Sequence, residues 1–379
     1  MHRGVTELKE RLTTLSDSRQ QAKTEHNLVE VLIISLVAIL CSANNLKAIH
    51  YFAVANDKWF KEFLALKNGI PSYHTIRRIF MLVDSSALDS ILFDFVRKAI
   101  AAGRANNNAK NGIHIDGKAI RGSASPCNGE RALIMVSAWA STYGACFGQV
   151  AVHKKSNEIT AIPELLNLLN LENSVVTIDA MGCQKKIAGN IVDKGGDYVL
   201  SLKGNHDQIY EDVKTFFESE TNDKLSEFTM KSTSTVEKDH GRIEERTYTL
   251  CDQITWLYDH KDWVGLNAIG AVHSHRIIGT VSTSETRYFL TTLTDVSEFA
   301  DFTRKHWSIE NNLHWSLDVC FREDACQVRN ANANKVFAGL RKMAKYIIDK
   351  DKKTKAGQEI RRLKAGWDPA YRLTLLNSL

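Results

Sequence analysis

Between residues 26 and 100 the apolar positions fall at helical spacing. A run opening at Leu28-Val29-Glu30-Val31-Leu32 stops near Asn44-Asn45, a second helix is expected over Leu46 to Ala55, and Trp59, Phe60, Phe63 and Leu64 lie on a third. Gly69-Ile70-Pro71 breaks the pattern. A further helix restarts near Ser72 or Tyr73-His74-Thr75, with Ile76, Ile79, Phe80 and Val83 inward and Arg77-Arg78 outward. The greasiest stretch, Val31 to Cys41, has 11 residues, whereas about 20 are needed to cross a bilayer. It reads as a buried helix and implies no membrane role. Residues 1–103 are therefore expected to form a helical domain for DNA binding or assembly. The polar, Asn-rich segment from Gly103 to Asn111 is its expected boundary.

Past that boundary the period changes from helix to strand. Ile113 to Asp116, Ala132 to Ala140 and Phe147 to His153 read as three successive strands. A helix over Thr160 to Leu171 follows, with Pro163 in its first turn. Then come a strand at Val175–Asp179, a helix at Gln184 to Lys194 closed by Gly195-Gly196, and a strand at Tyr198 to Leu202. Three antiparallel strands followed by alternating helix and strand is the order of a ribonuclease-H-like α/β core. From about 205 to 295 strand-like runs dominate (Ile243–Thr249, Ala268–His275, Tyr288–Leu293), a β-rich insertion inside a core spanning 112–350. Residues 351–379 form a basic helical tail.

Charge sharpens the picture only through its distribution. The 379-residue chain has a net charge of +5, yet Lys335–Leu379 holds 12 Lys or Arg against 4 Asp or Glu. A basic tail on a slightly acidic body suits a phosphate backbone, or else is simply a solvated helix. The 7 cysteines form no CxxC pair and no zinc spacing, which suits a reducing cytoplasm. The charged N-terminus, Met1 to Arg11, has no apolar signal-peptide core.

Three acidic segments carry the candidate chemistry: His114-Ile115-Asp116, Thr177-Ile178-Asp179, and His306-Trp307-Ser308-Ile309-Glu310. The first two place an aspartate at the end of an apolar strand, where a sheet opens to solvent. The third places a glutamate on a helix that reads as apolar on both faces and so buried. An aspartate alone is usually a cap or turn former. The stretch between Asp116 and Asp179 brings the first and fourth strands side by side. Carboxylates suit Mg²⁺ or Mn²⁺, and paired hard cations perform phosphoryl transfer on nucleic acids. Lys118, Arg121 and Lys203 flank the triad strands and are candidates for phosphate contacts; His240, Arg242 and Arg246 are candidates on an alternating-charge strand. Trp256, Trp263 and Trp315 suit either base stacking or core packing.

The series of motifs resembles one family. Ile115-Asp116-Gly117-Lys118-Ala119-Ile120-Arg121-Gly122-Ser123, Lys155 through Pro163, Thr177 through Lys185, Leu202-Lys203-Gly204-Asn205, Asp239 through Glu244, His306-Trp307 through Asp318-Val319 and Arg322 through Cys326 occur in order. They are similar to DDE transposases of the ISAs group, which includes the H-repeat-associated proteins of Rhs elements. The resemblance implies a catalytic and metal-holding triad of Asp116, Asp179 and Glu310, with Mg²⁺ or Mn²⁺ as cofactor. It also implies double-stranded DNA as partner, both element ends and target, and a homodimer in the synaptic complex. Related transposases place Tyr, Arg and Lys around the glutamate where this chain has Thr303, His306 and Leu317. His306 thus stands as a DNA-contact candidate, and Asp318, Glu323 and Asp324 are alternatives for the third carboxylate. A relative that binds DNA without cutting it, a nuclease without strand transfer, and a hydrolase of small phosphate esters are the competing readings.

Overall fold

The computed structural model describes residues 3–104, 109–152, 156–204, 207–218, 228–239 and 241–379. Much of the expected Asn-rich boundary, His240 and part of the Lys155 motif lie outside them. Helices α1 (Arg3–Leu12), α2 (Leu28–Leu40), α3 (Leu46–Ala55), α4 (Asp57–Phe60), α5 (Tyr73–Leu82) and α6 (Ser85–Arg104) precede the first strand. Asn27, Asn45 and Ser72 cap α2, α3 and α5 through their side chains, which is why each helix begins where its polar residue stands. Nearly all of α2 is buried.

Nine strands form one sheet in the order β3-β2-β1-β4-β5-β9-β8-β7-β6. These are β1 (Asn111–Ile120), β2 (Leu133–Ala140), β3 (Ala145–Ala151), β4 (Ser174–Ile178), β5 (Asp197–Leu202), β6 (Lys231–Asp239), β7 (Arg242–Cys251), β8 (Ala268–Ile278) and β9 (Val281–Thr291). β1, β2 and β3 are antiparallel neighbours, and β1, β4 and β5 run parallel. The strands expected within 205–295 continue this sheet, because β9 pairs with β5 from Tyr288 to Thr291. The parallel crossovers run through α7 (Glu158–Asn167) and α8 (Lys185–Asp193), as such connections require. α7 starts two residues before the expected Thr160. Asn157 precedes the helix and Glu158 occupies its first turn, where a carboxylate is favoured by the helix dipole. Pro163 therefore sits inside the helix rather than in its first turn.

Helix α9 (Asp207–Glu218) follows β5, and after β9 come α10 (Val296–His306), a π-helical turn (Glu310–His314), α11 (Trp315–Val319), α12 (Ala331–Lys350), α13 (Gln358–Trp367) and α14 (Pro369–Leu376). α12 packs against α2, α5 and α6 as well as β3, so one apolar core runs from the N-terminal helices to the sheet. A buried polar chain crosses this junction. Lys342 of α12 donates to Ser137 at 2.8 Å and to Gln149 at 2.5 Å, and Gln149 donates to Asp89 of α6 at 2.7 Å.

Burial pushes the Asp89 carboxyl up to about 7, against the pull of Gln149 and Lys342. Its folded pKa lies above the unfolded value, so folding binds a proton there. Stability drawn from this group is full below about pH 4 and is lost as pH rises through 7. The difference in unfolding free energy between the parent and Asp89→Asn should thus fall by an amount on the order of 4 kcal/mol between pH 4 and 8. Urea melts at a series of pH values measure it.

Candidate active site

The β1–β4 register ends at Ile115 opposite Ile178. The next residues, Asp116 and Asp179, lie side by side just past that register: Asp179 follows the end of β4, whereas β1 does not end at Asp116 as expected but runs on to Ile120, with Asp116 opposite Ser137 of β2. Asp116 accepts from the Gly117 amide at 2.9 Å. Asp179 caps a short 3₁₀ turn and accepts from Gly182. The third element comes from the far end of the chain. α10 ends at His306, and Trp139 of β2 holds the following turn by donating to Ser308 at 3.1 Å. The π turn then carries Glu310 and His314 to Asp116. A π turn needs more residues per revolution than an α-helix, so positions four apart come closer to one azimuth. Ligand atoms of Asp116, Glu310 and His314 lie within 4.8 Å of one another. Asp179 falls outside that tight group.

Contrary to the expectation of a buried helix, Glu310 is exposed. Trp315 is 59% exposed and Trp307 is 42% exposed, so the helix is buried on one face only, at Ile309, Leu313, His314 and Leu317. Trp263 is buried, whereas Trp256 stacks on Phe216 and stays partly open.

Electrostatics tie a fourth acid to the cluster. Burial and then the charge of Asp116 raise the Asp179 carboxyl. Burial, then Asp179 and Asp116, raise Glu158 at the start of α7. Glu158 packs on the strand beside Asp116, because a Cβ at Gly117 would lie 2.3 Å from its carboxyl carbon. Gly117 thus makes room for it. Sequence reading missed Glu158 although it stands within a quoted motif; an acid opening a helix looks like a capping residue. Four carboxylates drawn to one place, with an imidazole beside them, form a donor set that suits a hard divalent cation.

The basic candidates divide. Lys118 is 11% exposed and paired with Asp318 at 2.6 Å, Glu323 at 3.0 Å and Asp324 at 3.2 Å. Burial opposes its charge, but these acids raise its pKa. Lys118 is thus bound within the protein, and the three alternatives for the third carboxylate are bound with it. Arg246 is likewise engaged, with Glu244 at 2.5 Å and Glu237 at 3.1 Å, and Glu237 also pairs with Arg304. Arg242 lies near Glu244 at 3.7 Å. Arg121, 85% exposed, and Lys203 face solvent. His306 is half-buried next to the carboxylates, with Asp116 and Asp179 raising its pKa against a larger lowering by burial.

The basic C-terminal segment is not a uniform solvated surface. Arg341, Lys342, Lys345, Arg362 and Arg372 are buried, while Lys352, Lys353 and Lys355 remain exposed. Replacing those three by Gln should lower the slope of log K against log salt for a random DNA duplex by up to about 0.9 each. Fluorescence anisotropy at several salt concentrations reads it, and an unchanged slope leaves them without a phosphate contact.

Comparison with known proteins points to one family. Residues 107–346 match a family described as "Transposase DDE domain", and residues 9–96 match one described as "DDE_Tnp_1-associated". A protein of Escherichia coli O157:H7 named "Putative transposase YncI" is 36% identical over 375 residues, covering 97% of this chain and 94% of its own. "H repeat-associated putative transposase YhhI" of Escherichia coli strain K12 is 34% identical over 378 residues, covering 98% of each. Among the described residues no helix is long and apolar enough to cross a membrane.

Proposed function

The chain belongs to the family of transposases with a DDE domain, and on that premise we propose that it cuts DNA at the ends of an insertion element and joins the freed ends to target DNA. The observation that carries this reading is the convergence of Asp116, Glu310 and His314 at the sheet mouth, with Asp179 beside them. The strand order β3-β2-β1-β4-β5, with the first three antiparallel and the rest parallel, supports a ribonuclease-H-like core. Residues 1–103 would serve DNA recognition or assembly, 112–350 catalysis, and 351–379 non-specific DNA contact.

In this reading water attacks a phosphodiester, the phosphorus–3′-oxygen bond breaks, and the departing oxygen takes up a proton as a 3′-hydroxyl. That hydroxyl then attacks a target phosphodiester in the same way. Asp116, Asp179 and Glu310 would hold Mg²⁺ or Mn²⁺, which would supply Lewis acidity at the phosphodiester. His314 lies 3.3 Å from Asp116 and would help to orient it. Arg121 and Lys203 would meet flanking phosphates from the solvent side. Lys118 ties α11 and the loop after it to β1 through Asp318, Glu323 and Asp324.

The deciding experiment incubates purified protein and Mg²⁺ or Mn²⁺ with DNA carrying the element's own ends and a target plasmid. Cleaved ends followed by joined products support the proposal. Cleavage with no joining would favour a nuclease, and binding with no cleavage a DNA-binding relative.

A further inference from the structure

A chain of three polar side chains runs from the buried centre of the sheet to the carboxylate site. His114 of β1 and Thr177 of β4 are direct register partners. The Nδ1 atom of His114 lies 2.6 Å from the Thr177 hydroxyl, and the same hydroxyl lies 2.7 Å from Nδ1 of His306. His114 and Thr177 are buried, while His306 is half-buried. Its Nδ1 is engaged inward, so Nε2 is left for whatever enters the site.

Thr177 has a single proton for two ring nitrogens. In one arrangement the His114 Nδ1–H donates to the hydroxyl, and the hydroxyl donates to a bare Nδ1 of His306. His306 then carries its proton on Nε2. The reverse arrangement leaves a bare lone pair on His306 Nε2 and an N–H on His114 Nε2. The buried end of the chain favours the first. His114 Nε2 is buried and has no hydrogen-bond partner, and an orphaned buried N–H is the rarer defect in folded proteins.

We propose that Thr177 and His114 are positioning residues that lock His306 as a neutral imidazole with its proton on Nε2, presented as a hydrogen-bond donor to a non-bridging oxygen of a phosphodiester that enters the site of Asp116, Asp179 and Glu310. This rests on the functional reading above and adds a donor of defined tautomer to it. A histidine donates outward only when its inner nitrogen is made the acceptor.

Two measurements on the full chain test it. Long-range nitrogen–proton correlation spectra of protein labelled at histidine nitrogen, assigned with His114→Gln and His306→Gln, read the tautomers without any DNA. The expected result is His306 protonated on Nε2 and His114 on Nδ1; His306 protonated on Nδ1 overturns the proposal. The second measurement is Mn²⁺-dependent nicking of a supercoiled plasmid. Thr177→Val keeps the shape and the strand propensity of the residue but cannot relay the proton. It should slow nicking by about 10- to 100-fold, the range found when a hydrogen-bond partner of a functional imidazole is removed. Thr177→Ser should recover most of that loss. Nicking by Thr177→Val at the parent rate would sink the proposal. A parent protein that nicks no plasmid would instead count against the functional reading, and the tautomer spectrum would still decide the lock.

Discussion

Asp116→Asn, Asp179→Asn and Glu310→Gln should each reduce metal-dependent cleavage by about 10³-fold or more, with far-ultraviolet circular dichroism unchanged. Neutral amides are poor ligands for a hard cation, so each change removes a donor from the one place where carboxylates from β1, β4 and the π turn meet. None of the three should unfold the protein. Asn at 179 retains the oxygen that caps the turn to Gly182. It also removes a charge that burial and Asp116 already disfavour, so Asp179→Asn should melt at or above the parent temperature. Glu310 is exposed and its replacement leaves no buried group unpaired. Asp318→Asn and Glu323→Gln give the contrast, because they weaken the cage around Lys118 and should lower the melting temperature. If Glu310→Gln cuts at the parent rate while Glu323→Gln keeps its stability and is dead, the third carboxylate is Glu323.

Arg362→Gln should cost about 3–5 kcal/mol of stability, the range for stripping a partner from a buried charged network. Arg362 belongs by sequence to the basic tail, yet it is buried against the core. Its guanidinium lies 3.8 Å above the Phe321 ring and donates to the Cys320 carbonyl, to the Ile39 carbonyl at 2.6 Å and to Asn44 at 2.9 Å. One side chain thereby ties α13 to the end of α2 and to the loop after α11. Burial drags its pKa down to about 10, which measures how fully it is desolvated. Glutamine is shorter and keeps no planar fork, so those carbonyls lose their donor. Chemical denaturation with two probes checks the magnitude. DNA affinity measured on the folded fraction should keep its salt slope, and a changed slope would return Arg362 to the DNA-facing set.

Strong periodicity made most of the core legible. Apolar runs ending in aspartate marked β1 and β4, and helical spacing marked α2 and α5, because burial on one face leaves a regular trace. The failures have equally physical causes. β6 reads Lys-Ser-Thr-Ser-Thr-Val-Glu-Lys-Asp, with no apolar alternation, because it is an edge strand with little buried surface to specify. The role of Lys118 was invisible because a lysine that meets acids from a distant segment looks, in sequence, like one that meets solvent, and that of Arg246 because its partner Glu237 comes from the neighbouring strand, which sequence did not mark. Glu158 and Gly117 make contact only after the α7 crossover has folded back over β1. The exposure of Glu310 and Trp315 also follows from tertiary placement, which a helical wheel does not contain.

β9 begins well outside the catalytic half of the sheet. Its residues Val281–Arg287 extend beyond the stretch paired with β5, a reach of roughly 24 Å at about 3.4 Å per residue. Such a projection is a cantilever. No flexible joint separates it from the strand next to Asp179, and swinging it would mean tearing ladder hydrogen bonds along β5 and β9. A load applied at the tip would therefore reach β5, the direct neighbour of the strand that leads to Asp179.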